Sequence, residues 1–359
     1  MHTHRSAPTI APISRPALPP KPRMASPSPH NQDRPSAAAG AGATSAPSPD
    51  DLLIVGPGVL GAYLGLLWKQ AHPGATVVAQ TNTPTRHAAL AALGLSPRTG
   101  DRPRATPEER YALVAFAAPP SGSPDYVGAI QSALALWDDS APGACFVFTG
   151  SAGVVGVDDG GPADEASPTV ARGAAPRTDT LLAAEDAVLG AGGCVLRLAG
   201  LYHASRGAHS FFLKAPGGAV PGRSGGYTVN LLHYEDAARL AAAVLGGDGG
   251  PPGGAWRGRV FLGCDGSPLT FDEMVAAAAA CPAACPGGVP PPGPITFGGP
   301  TDGPSRGKRM TNRATRAALG GWAPKYASFQ AFTASPNGGR DAYNTDARLG
   351  GLEAGAAHA

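Results

Sequence analysis

From Asp51 to about residue 200, short apolar runs alternate with stretches whose apolar residues recur at helical spacing. The short runs are almost continuously apolar, which is typical of strands that are buried on both faces of a parallel sheet. The stretches between them supply the helices that cover those faces. The pattern therefore predicts an α/β fold built on a doubly wound parallel sheet, and it is too regular for a helical bundle or a β-sandwich.

The predicted elements follow from these two periodicities. The predicted strands are Leu52–Val55, Ala75–Gln80, Tyr111–Ala117, Ala144–Thr149 and Cys194–Leu198, and the predicted helices are Val59–Gln70, Thr85–Leu93, Asp125–Trp137 and Thr178–Leu189. We interpret residues 50–200 as one domain.

Residues 201–335 are less regular and predict a small, irregular C-terminal subdomain. Strands are expected at Tyr227–Leu231 and Arg259–Gly263, and a helix at Tyr234–Leu245. A further helix is expected after Thr270, because Thr270 and Glu273 have the spacing of a capping box. Residues 282–307 are rich in proline and glycine and predict a surface loop, and residues 336–359 predict a disordered tail.

Residues 1–48 differ in composition from the rest of the chain. They contain several arginines, many serines and prolines, and Asp33 as the one acidic residue. Such a segment buries too little apolar surface to fold, and acid-poor, Arg- and Ser-rich N-termini are typical of organellar transit peptides. We expect a chloroplast transit peptide, with mitochondrial import or a plain disordered tail as the alternatives.

Composition and charge exclude several other classes of function. The formal net charge is +2, and the basic residues form no block, so we expect no nucleic-acid partner. No apolar run approaches the ~20 residues of a membrane span. The five cysteines lack the spacing of a disulfide framework, and Cys281 and Cys285 lack the further soft ligands that structural zinc requires. The sequence therefore predicts a reducing compartment and no metal site, and it indicates no particular oligomeric state.

A glycine-rich turn lies between the first predicted strand and the first predicted helix, as Gly-x-Gly-x-x-Gly. This context is the one that a dinucleotide-binding turn requires. The first glycine permits the tight turn, the second allows the backbone to approach a pyrophosphate, and the third allows the helix to pack on the strand. The residues that we assign to the cofactor in this turn are Gly56, Pro57, Gly58, Val59, Leu60 and Gly61.

The end of the second predicted strand indicates which dinucleotide is bound. Sites that prefer NAD usually carry an acidic residue there, which binds the ribose hydroxyls. This chain has no acid in that stretch, but it has Thr81, Asn82 and Arg86. These side chains suit a 2′-phosphate, so NADP is expected, with NAD as the alternative. Arg86 also fits a solvated residue in the first turn of a helix.

The order of further motifs resembles that of the extended short-chain dehydrogenases/reductases, which have a Rossmann fold and a small C-terminal substrate domain. The resemblance implies that residues 201–335 form this substrate-type subdomain. "VAFAAPPS" (114–121) resembles the strand and loop beside the nicotinamide-side ribose, which implies that Ala117, Ala118 and Pro119 contact the cofactor. "FVFTGSAGVVG" (146–156) resembles the strand that carries the catalytic Ser or Thr, which implies that role for Ser151. "LLIVGPGVLG", "AQTNTPTRH", "LRLAGLY" and "RGAH" are similar to the atypical, YeeZ-like branch, which has plant and algal relatives.

The catalytic Tyr-x-x-x-Lys pair of that family is absent. If Glu185 is aligned with the acidic residue that usually follows the Lys by one turn, Arg177 takes the place of the Tyr and Leu181 that of the Lys. Arginine keeps its proton at any accessible pH, and leucine has no charge. No tyrosine in the chain is followed four residues later by lysine.

Several interpretations of the chemistry stay open. Ser151 orients a carbonyl or hydroxyl while Tyr202 or His209 transfers the proton, or Ser151 only lines the pocket. Arg177 and Arg206, together with His209, form a basic pocket for an anionic substrate, or the loop residues are simply solvated. The protein is accordingly either an NADP-dependent oxidoreductase or epimerase-like enzyme acting on an unidentified small molecule, or a non-catalytic dinucleotide-binding regulator or assembly partner.

Overall fold

A computed structural model of the protein describes residues 47–101, 109–246, 256–301, 303, 305–336 and 339–340. Its centre is a seven-stranded sheet in which every neighbouring pair of strands is parallel. Helices cover both faces, so the predicted doubly wound α/β Rossmann fold is confirmed. Most of the predicted transit peptide (1–48) and of the predicted tail (336–359) lies outside the described residues.

The strands and helices of the described part are numbered in chain order. The strands are β1 (Leu52–Val55), β2 (Val77–Thr81), β3 (Ser96–Thr99), β4 (Leu113–Phe116), β5 (Cys145–Ser151), β6 (Asp159–Ala163), β7 (Cys194–Leu198), β8 (Gly200–Tyr202), β9 (Ala219–Val220), β10 (Thr228–Val229), β11 (Leu231–His233), β12 (Val260–Gly263), β13 (Leu269–Thr270), β14 (Thr296–Phe297) and β15 (Gly307–Met310). The helices are α1 (Val59–Ala71), α2 (His87–Ala92), α3 (Tyr126–Leu134), α4 (Pro176–Gly190), α5 (Ala208–Phe212), α6 (Tyr234–Leu245), α7 (Phe271–Ala279), α8 (Arg313–Ala318) and α9 (Phe329–Thr333).

The strand order of the large sheet is β12-β7-β5-β4-β1-β2-β3. The chain builds β1, β2 and β3 outward in one direction, and it then returns to add β4, β5, β7 and β12 on the other side of β1. The order therefore reverses between β1 and β4, where Leu52 is in register with both Val77 and Leu113. In open parallel sheets, ligands bind in the crevice at the carboxyl ends of the two strands that flank such a reversal.

The two faces of the sheet carry separate hydrophobic cores. On one face, α1 and α6 pack against the sheet through residues such as Tyr63, Trp68 and Leu240, each at most 2% exposed. On the other face, α3 and α4 bury Ile130 and Val188, both fully buried. Each large apolar side chain buried in this way stabilises the fold by about 1.5–3 kcal/mol.

Most predicted elements are present, and some boundaries need correction. The strand β7 and the helix α6 have the predicted bounds, whereas the predicted helix Asp125–Trp137 ends at Leu134. The predicted strand Tyr227–Leu231 is wrong, because β10 and β11 lie in different sheets. Asn230 separates them: its carbonyl accepts a hydrogen bond from Gly200 N–H, and its side chain bonds the backbone of β15.

The C-terminal part of the fold is assembled from short strands. A second, four-stranded sheet has the order β13-β10-β15-β6 and joins segments that are far apart in the chain. The strands β3 and β6 were not predicted, since the sequences SPRT and DGGPA have neither an apolar run nor alternation. The predicted surface loop over 282–307 is corrected in part, because Thr296–Phe297 pairs with β9.

The predicted capping box at the start of α7 is confirmed. The Thr270 hydroxyl accepts a hydrogen bond from Glu273 N–H, and the Glu273 carboxylate accepts one from Thr270 N–H. A third apolar cluster lies beneath this helix and includes Phe271, Met274 and Phe329. The described helices include none that is long and apolar enough to cross a bilayer.

Candidate functional site

The glycine turn lies between β1 and α1, at the reversal of strand order. Gly56 has φ +76°, and a Cβ there would come within 2.5 Å of the backbone and side chain of Ala118. A Cβ on Gly61 would come within 2.9 Å of Ile54 Cγ2, so Gly61 sets the contact between helix and strand. At Gly58 a Cβ would meet nothing nearer than Gly56 O at 4.0 Å. Gly56 and Gly61 are therefore required for close packing against Ala118 and Ile54, whereas the space beside Gly58 is empty.

A cavity of about 440 Å³ opens in front of this turn. Its walls combine the start of α1, the loop after β4 and the end of β5; among them are Gly58, Val59, Leu60, Ala117, Ala118, Pro119 and Ser151. The first N–H groups of a helix have no intrahelical partner and carry partial positive charge. This helix also has no side-chain cap at Gly58, so its start suits an anionic group such as a pyrophosphate.

The structure separates the residues at the end of β2 from this cavity. Thr81 is only 7% exposed, and its hydroxyl lies 2.8 Å from both the Thr83 carbonyl oxygen and His87 Nε2. Asn82 is exposed and donates a hydrogen bond to the Gly122 carbonyl at 3.2 Å, which joins β2 to the loop after β4. We therefore correct the expectation for Thr81, whose hydroxyl is used within the fold.

Two arginines lie near the end of β2, and they differ in their partners. Arg98 forms an ion pair with Glu109 and donates a hydrogen bond to Gln80 Oε1 at 2.9 Å. Arg86 is half-buried and makes no ion pair with another described residue. Arg86 therefore keeps its charge available at this edge of the sheet, although it does not line the 440 Å³ cavity.

Ser151 is the last residue of β5 and is half-buried. It is in register with Leu198 on the neighbouring strand β7, and its hydroxyl accepts a hydrogen bond from Gly153 N–H at 3.1 Å. The accepted bond leaves the hydroxyl hydrogen available to a ligand. Ser151 thus presents a donor at the edge of the cavity.

Arg177 and Leu181 follow one another by one turn of α4, and both line the cavity. Glu185, one turn further, is buried and forms a bidentate ion pair with Arg197 on β7, with a shortest distance of 2.8 Å. Residues spaced by four lie on one face of a helix. At the positions that we aligned with the family's Tyr and Lys, the cavity therefore meets a permanent cation and an apolar side chain.

Arg206 and Tyr234 also line the cavity, and their side chains are in contact. The Arg206 guanidinium donates a hydrogen bond through Nε to the Tyr234 hydroxyl at 3.1 Å. Tyr126 also lines the cavity, but its hydroxyl donates to the Ala118 carbonyl at 2.8 Å, and burial raises its pKa. The sequence did not indicate Tyr234, because nothing local distinguishes it from the other tyrosines.

Tyr202 and His209 lie away from the cavity, in the third apolar cluster. Tyr202 is fully buried, with its ring 4.9 Å from that of Phe329. His209 is also fully buried, its Nε2 lies 2.9 Å from the Ala204 carbonyl oxygen, and burial lowers its pKa. Gly207, which lies between them in the chain, has φ +140°. We therefore correct the expectation that these two side chains reach a substrate.

A second cavity, of about 320 Å³, adjoins the first and shares Ser151 with it. We call it the Lys308 cavity; its other walls include Tyr227, Thr228, Asn230, Lys308 and Met310. Lys308 is half-buried and donates a hydrogen bond to the Val155 carbonyl. Burial lowers the pKa of Lys308, although the nearby Asp158 opposes this.

The comparisons with known proteins bear on the fold. No protein-family profile and no curated protein matches this chain by sequence. Among solved structures, a functionally unknown conserved protein from Silicibacter pomeroyi is 23% identical, with 83% of this chain and 99% of that chain covered and a TM-score of 0.59.

Two other similar structures are sugar-nucleotide enzymes. A UDP-glucose 4-epimerase from Thermotoga maritima, solved with UDP-glucose, is 14% identical over 78% of this chain and 95% of its own, with a TM-score of 0.55. A dTDP-glucose 4,6-dehydratase from Bacillus anthracis, solved with NAD, is 14% identical over 80% of this chain and 97% of its own, with a TM-score of 0.59. The chain therefore shares the Rossmann fold of epimerase- and dehydratase-type enzymes.

Proposed function

We propose that this chain is an NADP-binding protein of the short-chain dehydrogenase/reductase type, and that it acts as an oxidoreductase or epimerase-like enzyme. The observation that carries the proposal is the 440 Å³ cavity, which joins the start of α1 to Ser151. The similar dehydratase was solved with NAD, which supports a dinucleotide in this cavity. Within the family, we propose the atypical, YeeZ-like branch, on the motifs quoted above.

The choice of NADP rests on charge at the end of β2. The last residues of β2 and the residues that follow it include no acid to bind the ribose hydroxyls. Asn82 is exposed there, and Arg86 has no acidic partner among the described residues. A 2′-phosphate would gain a charge-assisted contact from Arg86.

The residues around the cavity support a rearranged acid/base chemistry. A bound nicotinamide cofactor supplies the hydride acceptor or donor. Ser151 donates its hydroxyl hydrogen to a substrate oxygen, and Arg177 offsets negative charge on the substrate. Tyr234 is the candidate proton donor, because it lines the cavity and its hydroxyl, which accepts a hydrogen bond from Arg206, keeps its own hydrogen to donate.

A second candidate function is a non-catalytic dinucleotide-binding regulator or assembly partner. Leu181 favours it, because this buried apolar side chain lines the cavity where the family's lysine would hold the ribose. In that case the protein binds the cofactor without using it in a reaction, and it transmits the redox state of the cofactor to a partner.

Titration calorimetry with NADPH and NADH tests the cofactor assignment. We expect tighter binding of NADPH, and we expect Arg86→Ala to weaken NADPH at least tenfold while NADH changes little. Tighter binding of NADH by the unmodified protein would contradict the assignment. Lys69→Ala, at the far end of α1, is the matched control for loss of a cation.

Turnover with a panel of carbonyl compounds and sugar nucleotides separates the two functions. For the enzyme, Ser151→Ala and Tyr234→Phe should each lower kcat by two orders of magnitude or more, while NADPH still binds. If NADPH binds tightly and no member of the panel is converted, the regulator is the better explanation.

We further propose that residues 50–200 bind the cofactor, that residues 201–335 contribute the substrate side, and that residues 1–48 direct the protein to the chloroplast. The low acid content of the N-terminal segment supports the targeting. A fluorescent protein fused to residues 1–48 should enter plastids. Entry into mitochondria or retention in the cytosol would contradict the proposal.

A further inference from the structure

The Lys308 cavity is formed by segments that are distant in the chain. Ser151 ends β5, Thr228 and Val229 form β10, and Lys308 lies on β15. The cavity shares Ser151, Leu198, Ala199 and Gly200 with the 440 Å³ cavity in front of the glycine turn, which we call the cofactor cavity, so the two are contiguous. A molecule in the Lys308 cavity therefore lies beside a serine that also lines the cofactor cavity.

The charge in this cavity is a single cation. Lys308 is the one charged side chain among its described lining residues, and much of the remaining wall is apolar, as at Leu198, Val229 and Met310. An ammonium group has three N–H donors. Within the described part of the chain, one of them is used by the Val155 carbonyl.

The acid nearest to Lys308 is already engaged. Asp158 accepts hydrogen bonds from the Tyr227 hydroxyl at 3.0 Å and from the Ser305 hydroxyl. It is exposed and does not line the cavity. Asp158 offsets the burial of Lys308 only in part, since the Lys308 pKa is still lowered, and an anionic ligand would add a direct counter-charge inside the cavity.

We propose that the Lys308 cavity binds the carboxylate of a small substrate, with the carboxylate on Lys308 and a neighbouring carbonyl or hydroxyl oxygen on Ser151. This assignment names the substrate class of the proposed function and rests on it. Small 2-oxo and 2-hydroxy acids present both groups on adjacent carbons. Lys308 is then a specificity-determining residue, and Ser151 holds the substrate's carbonyl or hydroxyl oxygen next to the cofactor cavity.

Size and charge select this class over sugar nucleotides. The cavity volume of about 320 Å³ lies at the low end of the ~300–1,000 Å³ typical of ligand pockets. A diphosphate would bring at least two negative charges to one ammonium and leave the excess charge against an apolar wall. A carboxylate brings one charge, so the pair is neutral.

Calorimetry on the full chain tests the assignment, with oxamate as an unreactive small carboxylate and UDP-glucose as the competing class. Oxamate should bind, with and without saturating NADPH, and Lys308→Met should weaken it at least tenfold. Lys308→Arg should retain most of the affinity, and the exposed Lys214→Met should leave it unchanged. NADPH affinity should be the same in all these variants, because Lys308 does not line the cofactor cavity.

A labelling experiment keeps the test independent of the folding of any variant. Oxamate should protect Lys308 of the unmodified protein against trinitrobenzenesulfonate, as measured by mass spectrometry of the labelled peptide, and it should not protect Lys214. Because burial lowers the pKa of Lys308, oxamate affinity should also fall with rising pH sooner than it would at an ordinary lysine.

The assignment is overturned if oxamate does not bind, if Lys308→Met binds it like the unmodified protein, or if UDP-glucose protects Lys308 and oxamate does not. Failure of the proposed function gives a different result, in which neither NADPH nor NADH binds, or NADPH binds and no member of the substrate panel is converted. In that case oxamate binding to the cofactor-free protein still decides whether Lys308 holds a carboxylate.

Discussion

The two adjoining cavities differ in how the chain builds them. The cofactor cavity is lined at the start of α1 by backbone groups that are consecutive in sequence, Gly58, Val59 and Leu60. The Lys308 cavity depends on side chains from β5, β10 and β15, which the tertiary fold brings together. The difference shows that a site made of backbone groups is encoded locally, whereas a site made of side chains depends on the packing of distant segments.

Each of the two cavities has a glycine beside it whose substitution tests this comparison. Gly56 and Gly307 both have positive φ, +76° and +78°, and both approach a neighbouring backbone closely. Gly56 belongs to a motif that the sequence indicates, and Gly307, which precedes Lys308, does not. If packing decides the cost, the position without a motif should be the more sensitive one.

We expect the largest effect from Gly307→Ala. A Cβ would lie 2.0 Å from the Thr228 carbonyl oxygen, so β10 and β15 would have to separate. Adding the strain of a left-handed alanine, we expect unfolding to become easier by about 5 kcal/mol in urea titrations. Gly222→Ala, with φ +70° and no atom within 4 Å, is the control and should cost about 1–2 kcal/mol. Equal losses would contradict the role of packing.

Gly56→Ala should cause the next largest loss of stability. Its Cβ would lie 2.5 Å from Ala118, so we expect a loss of about 3 kcal/mol in the free energy of unfolding, together with loss of NADPH binding. Gly58→Ala is the matched control, because its Cβ has open space. It should keep stability to within about 1 kcal/mol and still weaken NADPH, which calorimetry would detect. If Gly58→Ala bound NADPH normally, the backbone at Gly58 would not form part of the cofactor site. The contrast between a cavity built from backbone groups and one built from side chains would then fail.

Asp265, after β12, makes the stability of the C-terminal side depend on pH. Burial raises the pKa of this carboxyl to about 7, and its Oδ2 has no hydrogen-bond partner among the described residues. An unfolded aspartate ionises near pH ~4. Between these values the folded state holds the proton and the unfolded state has lost it. Stability from Asp265 is therefore complete below about pH 4 and is lost as the pH rises through about 7.

Asp265→Asn should flatten this pH dependence. Between pH 5 and pH 7 we expect the variant to lose about 2 kcal/mol less of its free energy of unfolding than the unmodified protein does, because no proton is released. Thermal and urea unfolding at the two pH values measure the change. The exposed Asp159→Asn is the control, and an unchanged slope in Asp265→Asn would refute the assignment.

The smallest effect is expected at the capping box, which lies in the irregular part and yet is encoded locally. Thr270→Ala removes the hydroxyl that accepts from Glu273 N–H at 3.2 Å, and it should cost about 1 kcal/mol in urea titrations. The exposed Thr301→Ala should change stability by less than about 0.5 kcal/mol. If Thr270→Ala lost as much stability as Gly307→Ala, the locally encoded motif would matter as much as the packing of distant segments, which would contradict the comparison.

The misplaced residues show where prediction from sequence stops. Tyr202 and His209 have the right chemistry for proton transfer and lie close to a motif, but both are fully buried in an apolar cluster. Tyr234 and Lys308 line the cavities, and no local pattern marks them. Residue type predicts what a side chain can do, and it does not predict which way the side chain faces.

The sequence by itself determined the parallel sheet, the position of the glycine turn and the capping box of α7. Each of these depends on periodicity or on contacts between residues a few positions apart, which the chain encodes locally. Only the tertiary structure decided that Thr81 is used within the fold and that Ser151 and Lys308 line one cavity. These placements depend on which segments pack together, and contacts between segments more than a hundred residues apart leave no short-range pattern in the sequence.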